Sequence, residues 1–252
     1  PRFKQVASSG NHLTLGIIPA RWGSTRFPGK PLHLIAGKPL VQHVWERTQH
    51  CKLLDSVTIA TDDQRILDAA HDFGAQAVMT SPNHPTGTDR IAEAASSYPD
   101  ATYIINIQGD EPLIEPSLID QLAAALHQDS GISMATAANP INDDEAMHDP
   151  NVVKCVIAQN GEALYFSRSP IPFQRAASPG LSLYRHKGIY AYRRDFLEKF
   201  VVWPPSPLEL AESLEQLRAL ENNARIKVLI TDDDSTGVDT LEQAQHIETL
   251  LK

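Results

Sequence analysis

Four short runs rich in β-branched and apolar residues, each followed by a longer amphipathic stretch, constrain the fold of this chain most strongly. The runs are LTLGII, SVTIAT, AQAVMT and TYIINIQ, and the stretches that follow them are PLVQHVWERTQHC, DDQRILDAAHDFG, TDRIAEAASSY and PSLIDQLAAALHQ. Strands that alternate with helices in this way form a parallel sheet with helices on both faces. The sequence therefore predicts an α/β fold with a mostly parallel sheet, and ligands are expected beyond the carboxyl ends of its strands.

The regular alternation ends near residue 130. The strand-like runs GISMATAANP, VVKCVIA and LYRHKGIYAYR follow, separated by Pro-rich turns, and they predict a small β-rich insertion over about 131–195. The stretch PLELAESLEQLRALEN predicts one long helix with Leu210, Leu214 and Leu217 on its apolar face. The strand RIKVLIT comes next, and a last helix is expected from about residue 240.

No stretch of the sequence resembles a linker between independent domains, and 252 residues suffice for one substantial core. We expect a single domain over 13–252. Its core would comprise 13–130, and the chain would return to that core over 196–252 after the insertion. Residues 1–12 are expected to form a mobile leader.

Composition excludes several classes of partner. The chain has 22 Lys and Arg against 31 Asp and Glu, a net charge of -9, which disfavours binding to nucleic acid or to an anionic membrane. Cys51 and Cys155 lack the spacing of a zinc site, and no apolar run approaches the roughly 18 residues of a membrane span. We therefore expect a cytoplasmic protein that binds anions only through a local basic cluster.

Such a cluster follows the first predicted strand, in PARWGSTRFPGKP. Its two glycines permit close backbone approach, while the hydroxyls of Ser24 and Thr25 can donate to phosphate oxygens. Arg21, Arg26 and Lys30 supply positive charge. The spacing differs from that of a Walker A loop, and a simple basic surface loop is the alternative. The combination favours a loop that binds a triphosphate.

Acidic residues are predicted at the same edge of the sheet. Asp110 and Glu111 follow the run TYIINIQ after a single glycine, and Asp239 lies in TGVDT, after the strand RIKVLIT. Two carboxylates, with water and phosphate completing the coordination shell, suit Mg²⁺. Asp239 could instead cap the last helix, and Asp110 could be a turn residue of GDEP.

The loop IPARWGSTRFPGKPL resembles the signature of the sugar-acid cytidylyltransferase family. Further similar motifs follow in order over nearly the whole chain from about residue 13, namely ATDD, MTSPNHPTGTDR, NIQGDEPLI, ALYFSRSPIPF, RHKGIYAYR, LEQLRALE and GVDT. Among the members of this family, those acting on 3-deoxy-manno-octulosonate are the most similar. The resemblance implies a Rossmann-like nucleotide-diphospho-sugar transferase fold, Mg²⁺ as cofactor, and a homodimer formed through the β-rich insertion.

The resemblance also implies a reaction. CMP would pass from CTP to the anomeric hydroxyl of 3-deoxy-D-manno-octulosonate, releasing pyrophosphate and giving a product for lipopolysaccharide synthesis. An 8-amino analogue of that sugar, or a sialic acid, is the alternative acceptor. A nucleotide-binding regulator that has lost catalysis is a remote alternative. The joint presence of Arg21, Lys30, Asp110 and Asp239 argues against it, because nucleotide binding alone does not need every ligand of a reacting metal.

Residues at matching positions take their roles from this resemblance. The catalytic residues would be Arg21, Lys30 and Asp110. The nucleotide would be bound by Ala20, Arg21, Ser24, Arg26, Lys30, Arg90 and Gln108. The sugar acid would be bound by Gln108, Arg168, His186, Glu215 and Gln216. Mg²⁺ would be bound by Asp110 and Asp239.

Some of these residues have plain structural interpretations. Glu215 and Gln216, beside two leucines, are typical of a solvated helix face. Thr88 is a plausible helix N-cap, which would make Arg90 a first-turn residue. The chain departs from the family pattern at Lys187, where an apolar residue is usual after the histidine, and at Leu241, where proline is frequent.

Overall fold

The structure is a computed structural model that describes residues 12–23, 27–176 and 178–251. Its strands are β1 (Leu13–Ala20), β2 (Leu34–Ile35), β3 (Lys38–Pro39), β4 (Ser56–Thr61), β5 (Gln76–Met79), β6 (Ala101–Asn106), β7 (Met134–Pro140), β8 (Lys154–Ile157), β9 (Ala163–Ser167), β10 (Tyr184–Arg193) and β11 (Ile226–Ile230). Its helices are α1 (Leu40–Thr48), α2 (Gln64–Asp72), α3 (Gly87–Ser96), α4 (Pro116–Gln128), α5 (Asp144–His148), α6 (Arg194–Phe200), α7 (Pro207–Glu212), α8 (Gln216–Glu221) and α9 (Leu241–Leu250). Among the described residues, no helix is long and apolar enough to cross a membrane.

The chain forms two compact units. The first comprises the residues up to Ala123 together with those from Ser235 onward, and the second comprises Ala124–Asp234. Most of the predicted leader lies outside the described residues. The predicted bounds of core and insertion stay a prediction.

The first unit is built on four parallel strands in the order β6-β1-β4-β5. Helices α1 to α4 follow the strands as the sequence patterns predict, so the α/β fold with a parallel sheet is confirmed. Ile17 and Ile18 are neighbours on β1 and both are fully buried. Since successive strand residues point to opposite faces, both faces of the sheet are covered. Burial of each such side chain stabilises the fold by about 1.5–3 kcal/mol.

The central position of β1 decides where the loops meet. It pairs with β6 so that Ile17 lies opposite Asn106, and the two strands run in the same direction. Their carboxyl ends therefore reach the same edge of the sheet. The loop after Ala20 and the turn at 108–110 emerge side by side.

The second unit contains the predicted β-rich run. Strand β7 pairs in parallel with β11 and antiparallel with β10, while β8 pairs antiparallel with both β10 and β9. Strand β9 is an additional strand that the sequence patterns do not single out. The mixed strand directions agree with the end of the regular strand-helix alternation near residue 130.

The single long helix predicted for PLELAESLEQLRALEN is wrong. The segment forms α7 and α8, separated at Ser213, whose φ of 51° lies in the left-handed region. Leu214 and Leu217 are buried as predicted, whereas Leu210 is 67% exposed. The break rotates α8 relative to α7, so one apolar stripe cannot run through both.

The start of α3 also differs from the prediction. Its N-cap is Thr86, whose hydroxyl accepts a hydrogen bond from the backbone N–H of Asp89 at 3.2 Å. Thr88 lies inside the first turn and is buried. The helix therefore begins two residues earlier than a Thr88 cap would allow.

Candidate active site

The loop after β1 brings two basic residues to the edge of the sheet. Arg21 directly follows the strand and is exposed, and Lys30 opens a single turn of 3-10 helix that ends at Leu32. Gly29 precedes that turn with a φ of 69°, a conformation that favours glycine. Ser24 and Arg26, two of the predicted nucleotide-binding residues, lie outside the described residues.

A cavity of about 600 Å³ lies between this loop, the turn after β6 and the start of α3. It is lined by most of the residues predicted for nucleotide and metal, namely Ala20, Arg21, Lys30, Arg90, Gln108, Asp110 and Asp239. Lys30 and Asp239, which are 209 positions apart in the sequence, are thus brought together in one unit. The cavity also has a wall at 84–87 that the residue-by-residue predictions missed. The signal was the stretch NHPTGT before a helix, since such stretches are typical of helix N-termini.

Gly109 allows the turn after β6 to pack against β1. A Cβ atom at this position would lie 2.5 Å from the backbone oxygen of Pro19. No other residue type fits without a shift of the backbone on one side. The close approach places Gln108 and Asp110 beside the end of β1.

Lys30 lies between the two predicted metal ligands. Its Nζ donates to Oδ2 of Asp110 at 2.6 Å and to Oδ1 of Asp239 at 3.1 Å. The Lys30 side chain is 14% exposed, against 30% and 41% for the two carboxylates. An ammonium held by both carboxylates shows that they can share one cation.

The alternative in which Asp239 caps the last helix is wrong. Thr240 is the N-cap of α9 and forms a capping box with Gln243. Asp239 therefore stays outside the helix, and its carboxylate accepts from Lys30. The backbone oxygen of Asp110 accepts from the N–H of Val238 at 2.8 Å, which fixes the two acidic segments next to each other.

These residues fit a divalent cation that completes its shell with phosphate and water. Among the described residues, no group of three or more His, Cys, Asp or Glu side chains could hold a metal ion by itself. Mg²⁺ usually takes only one or two carboxylates and keeps water or substrate oxygens as its other ligands. Glu111 is buried and accepts from the hydroxyl of Ser235 at 3.4 Å, so its contact differs from those of Asp110.

Arg90 lines the cavity, but its guanidinium has partners inside the unit. It donates to Oδ2 of Asp62 at 2.7 Å and to the hydroxyl of Thr80 at 2.5 Å. The residue is 4% exposed. Its predicted contact with the nucleotide stays a prediction, while its contact with Asp62 joins α3 to the end of β4.

His84 lies at the wall of the cavity, and its Nε2 is hydrogen-bonded to the carboxylate of Glu93. The backbone N–H of Ser81 donates to Glu93 at 2.9 Å. This hydrogen bond, together with that of His84, lowers the pKa of the Glu93 carboxyl. The imidazole is thereby held at a fixed position beside the start of α3.

The second unit contains the remaining residues predicted for the sugar acid. His186 on β10 shares a hydrogen bond between its Nε2 and the hydroxyl of Thr136 at 2.8 Å, and its ring contacts those of Phe166 and Tyr190. Burial lowers the pKa of the imidazole to about 3. His186 is therefore neutral at pH 7 and can act as a hydrogen-bonding group, but not as a cation.

Arg168 contacts the backbone at the break between α7 and α8. Its guanidinium donates to the backbone oxygens of Glu212 at 2.7 Å, Pro150 at 2.9 Å and Ser213 at 3.4 Å. The carboxylate of Glu212 in turn accepts from the backbone N–H of Arg168 at 2.9 Å. These contacts give Arg168 a structural role beside its predicted role in binding the sugar.

Glu215 and Gln216 begin α8 directly after this break. Gln216 is 5% exposed, so the interpretation of this pair as a solvated face is wrong for Gln216. Glu215 is half-buried and lies 3.7 Å from Arg218. Lys187, the departure from the family pattern, is buried with its Nζ 3.9 Å from Asp233.

The chain belongs to the cytidylyltransferase family, a family of nucleotidyltransferase enzymes, since the family model matches residues 15–226. Curated relatives are more specific. The chain is 52% identical over 246 residues to the 3-deoxy-manno-octulosonate cytidylyltransferase of Geobacter sulfurreducens, covering 94% of this chain and 98% of the relative. It is 48% identical over 251 residues to the enzyme of that name from Thermodesulfovibrio yellowstonii, covering 95% and 98%.

Solved structures agree with the fold. The chain is similar to a CMP:2-keto-3-deoxy-manno-octonic acid synthetase complexed with CTP, with a TM-score of 0.91 and 41% identity over 95% of this chain and 98% of the other. A 4-diphosphocytidyl-2C-methyl-D-erythritol synthase from Anaerococcus prevotii has a TM-score of 0.64 at 13% identity over 96% and 99%. The second likeness shows the fold alone.

Proposed function

We propose that this chain transfers CMP from CTP to the anomeric hydroxyl of 3-deoxy-D-manno-octulosonate and releases pyrophosphate. The observation that carries this proposal is the cavity of the first unit, where Arg21, Lys30, Asp110 and Asp239 converge. The names of the relatives at about 50% identity support the choice of nucleotide and sugar. Neither the 8-amino analogue nor a sialic acid is favoured by them.

The reaction needs positioning and charge rather than a protein nucleophile. The sugar hydroxyl attacks the α-phosphorus, and the bond to the departing pyrophosphate breaks. Arg21 and Lys30 place fixed positive charge where the phosphates would bind, and such charge stabilises the oxygens on which negative charge develops. Gln108, beside Asp110, supplies an amide that can orient either substrate.

We assign Asp110 and Asp239 to the binding of Mg²⁺. When bound, Mg²⁺ supplies Lewis-acid stabilisation of the phosphate oxygens. The two carboxylates would bind the cation, and the short turn through Gly109 keeps Asp110 against the end of β1. The homodimer and the cytoplasmic location stay predictions.

For the sugar acid we retain Arg168, His186, Glu215 and Gln216 in the second unit. The neutral imidazole of His186 suits a hydroxyl better than a carboxylate, because it has no charge to pair with an anion. Arg168 would have to bind the carboxylate with a guanidinium that also holds backbone oxygens. Glu215 and Gln216 provide further polar groups at the start of α8.

Pyrophosphate release tests the proposal directly. The chain is incubated with CTP and Mg²⁺, and in parallel with 3-deoxy-D-manno-octulosonate, its 8-amino analogue and N-acetylneuraminate. We expect rapid release with the first sugar only. Release with only one of the other sugars would show that the proposed acceptor is wrong. No release with any sugar, although CTP still binds, would refute the proposed transfer.

A further inference from the structure

The motif ATDD runs from the end of strand β4 to the N-cap of α2, and none of the catalytic or ligand-binding roles assigned above uses its two aspartates. Asp62 and Asp63 both contact elements next to the phosphate-binding loop. Asp62 accepts from the backbone N–H of Trp22 at 3.4 Å and from the guanidinium of Arg90 at 2.7 Å. Trp22 directly follows Arg21. The motif therefore reaches the first residues of the loop.

Asp63 acts through an arginine. It caps α2 by accepting from the backbone N–H of Arg65 at 2.9 Å. The guanidinium of the same arginine makes two parallel hydrogen bonds to the Asp63 carboxylate, at 2.8 Å from Nε and 2.6 Å from NH2. This paired geometry fixes the plane of the guanidinium. An otherwise exposed side chain is thereby held in one orientation.

The guanidinium of Arg65 lies over the indole ring of Trp22. Its Cζ is 3.4 Å from the ring centroid, well within the range of a cation–π contact. Arginine stacks on an aromatic face more readily than lysine because its charge is spread over a plane. Trp22 is thus held by Asp62 through its backbone and by Arg65 through its ring.

The same indole ring contacts the far end of the loop. A Cβ atom on Gly29 would lie 2.9 Å from the ring of Trp22, and the backbone N–H of Gly29 donates to the backbone oxygen of Trp22 at 3.3 Å. Gly29 directly precedes Lys30. One tryptophan therefore connects the segment that carries Arg21 with the segment that carries Lys30.

We propose that Trp22, held over its ring by Arg65 and through its backbone by Asp62, is the positioning residue of the phosphate-binding loop. It sets the separation of Arg21 and Lys30, the two charges that line the cavity. Neither Trp22 nor Arg65 lines that cavity, so both act through these neighbours. This inference rests on the proposed binding of CTP. It adds the contact that holds the two basic residues of the loop in position before CTP binds.

We call the contacts of Trp22 with Arg65, Asp62 and Gly29 the clamp. The test measures CTP affinity in variants that weaken the clamp at residues outside the cavity. Arg65→Ala removes the cation over the ring, and Arg65→Lys keeps a charge but loses the paired contact with Asp63. Lys38→Ala is the matched control, because Lys38 forms an exposed ion pair with Glu46 at 2.7 Å in the same unit without a ring contact in the described structure. CTP binding is measured by calorimetry, and KM and kcat by pyrophosphate release.

We expect Arg65→Ala to weaken CTP binding by about three- to tenfold, since misplaced phosphate ligands lose part of their binding energy. Arg65→Lys should lie between this variant and the wild type. The KM for CTP should rise while the KM for the sugar changes less than about twofold. Melting temperatures of Arg65→Ala and Lys38→Ala should stay close to that of the wild type.

A pair of variants at Trp22 keeps the test from resting on Arg65 alone. Trp22→Phe keeps an aromatic face and Trp22→Leu does not, so CTP affinity should fall further in the leucine variant. Equal CTP affinity in the wild type, Arg65→Ala and Trp22→Leu would overturn the proposed clamp. A wild type that does not bind CTP would instead refute the proposed function. A lower melting temperature with unchanged affinity would make the contact purely structural and would also overturn the clamp.

Discussion

Lys30→Met removes the ammonium between Asp110 and Asp239 and keeps most of the apolar stem. In the wild type this ammonium lies 2.6 Å and 3.1 Å from the two carboxylates. Its loss leaves two negative charges facing each other without a cation. Because both carboxylates are partly exposed and screened by solvent, we expect the free variant to be less stable by only about 1 kcal/mol.

The same substitution should strengthen the binding of a divalent cation to the free protein. A cation held by both carboxylates must lie next to Lys30 or displace its ammonium. The repulsion between a single and a double charge about 4 Å apart is about 2 kcal/mol even in bulk water. Relief of this repulsion corresponds to an affinity gain of about 10- to 30-fold. Turnover should fall by about 100-fold, because Lys30 also provides charge beside the phosphates.

The assay is a titration of free protein with Mn²⁺, followed by electron paramagnetic resonance in the absence of CTP. Lys38→Met serves as the control for loss of one positive charge from the same unit. Thermal unfolding with and without Mg²⁺ gives a second measurement, in which the cation should stabilise Lys30→Met more than the wild type. Equal Mn²⁺ affinity in both proteins would refute the inference that the two carboxylates form a shared cation site.

Three further predictions follow from single contacts. Gly109→Ala places a Cβ atom 2.5 Å from the backbone oxygen of Pro19, so chemical denaturation should show a loss of about 1–3 kcal/mol and CTP binding should weaken with it. Because burial lowers the pKa of His186 to about 3, unfolded protein binds a proton that folded protein excludes between about pH 3 and 6.5. Stability should therefore fall as the pH decreases through this window, by at most about 1.4 kcal/mol per pH unit, and denaturation of His186→Gln at several pH values should show a smaller slope. Arg168→Lys cannot reproduce the contacts with three backbone oxygens, so limited proteolysis near Glu212 should become faster, and unchanged cleavage would count against its role at the helix break.

The parallel part of the fold could be read from the sequence because its signals are local. SVTIAT and PSLIDQLAAALHQ coincide with β4 and α4 from end to end. The break between α7 and α8 could not be predicted, because the residues around it favour a continuous helix. At the break, the backbone oxygen of Ser213 accepts a hydrogen bond from Arg168, which is 45 positions away in the sequence. A contact of that kind leaves no periodic pattern.

For the candidate site, the sequence predicted which residues would meet but not all of their contacts. Placement after strands predicted that Arg21, Lys30 and Asp110 would meet, because carboxyl ends of parallel strands share one edge. The contacts of Trp22 with Arg65 and Gly29 could not be predicted, since a lone tryptophan in a loop gives no sign of which side chains cover it. The alternative that Asp239 caps the last helix is excluded by one neighbour, because Thr240 is the N-cap, while its role as a Mg²⁺ ligand stays a prediction.

The pairing of Lys30 with Asp239 spans 209 positions, and this separation has a consequence for synthesis on the ribosome. The strands of the first unit emerge early, but the segment from Ser235 onward, which belongs to the same unit, emerges only after the whole second unit has been made. A nascent chain therefore has Lys30 and Asp110 long before it has their third partner. Until then the carboxylates of Asp110 and Asp239 cannot come together, so the site proposed for CTP stays incomplete until translation has passed Asp239.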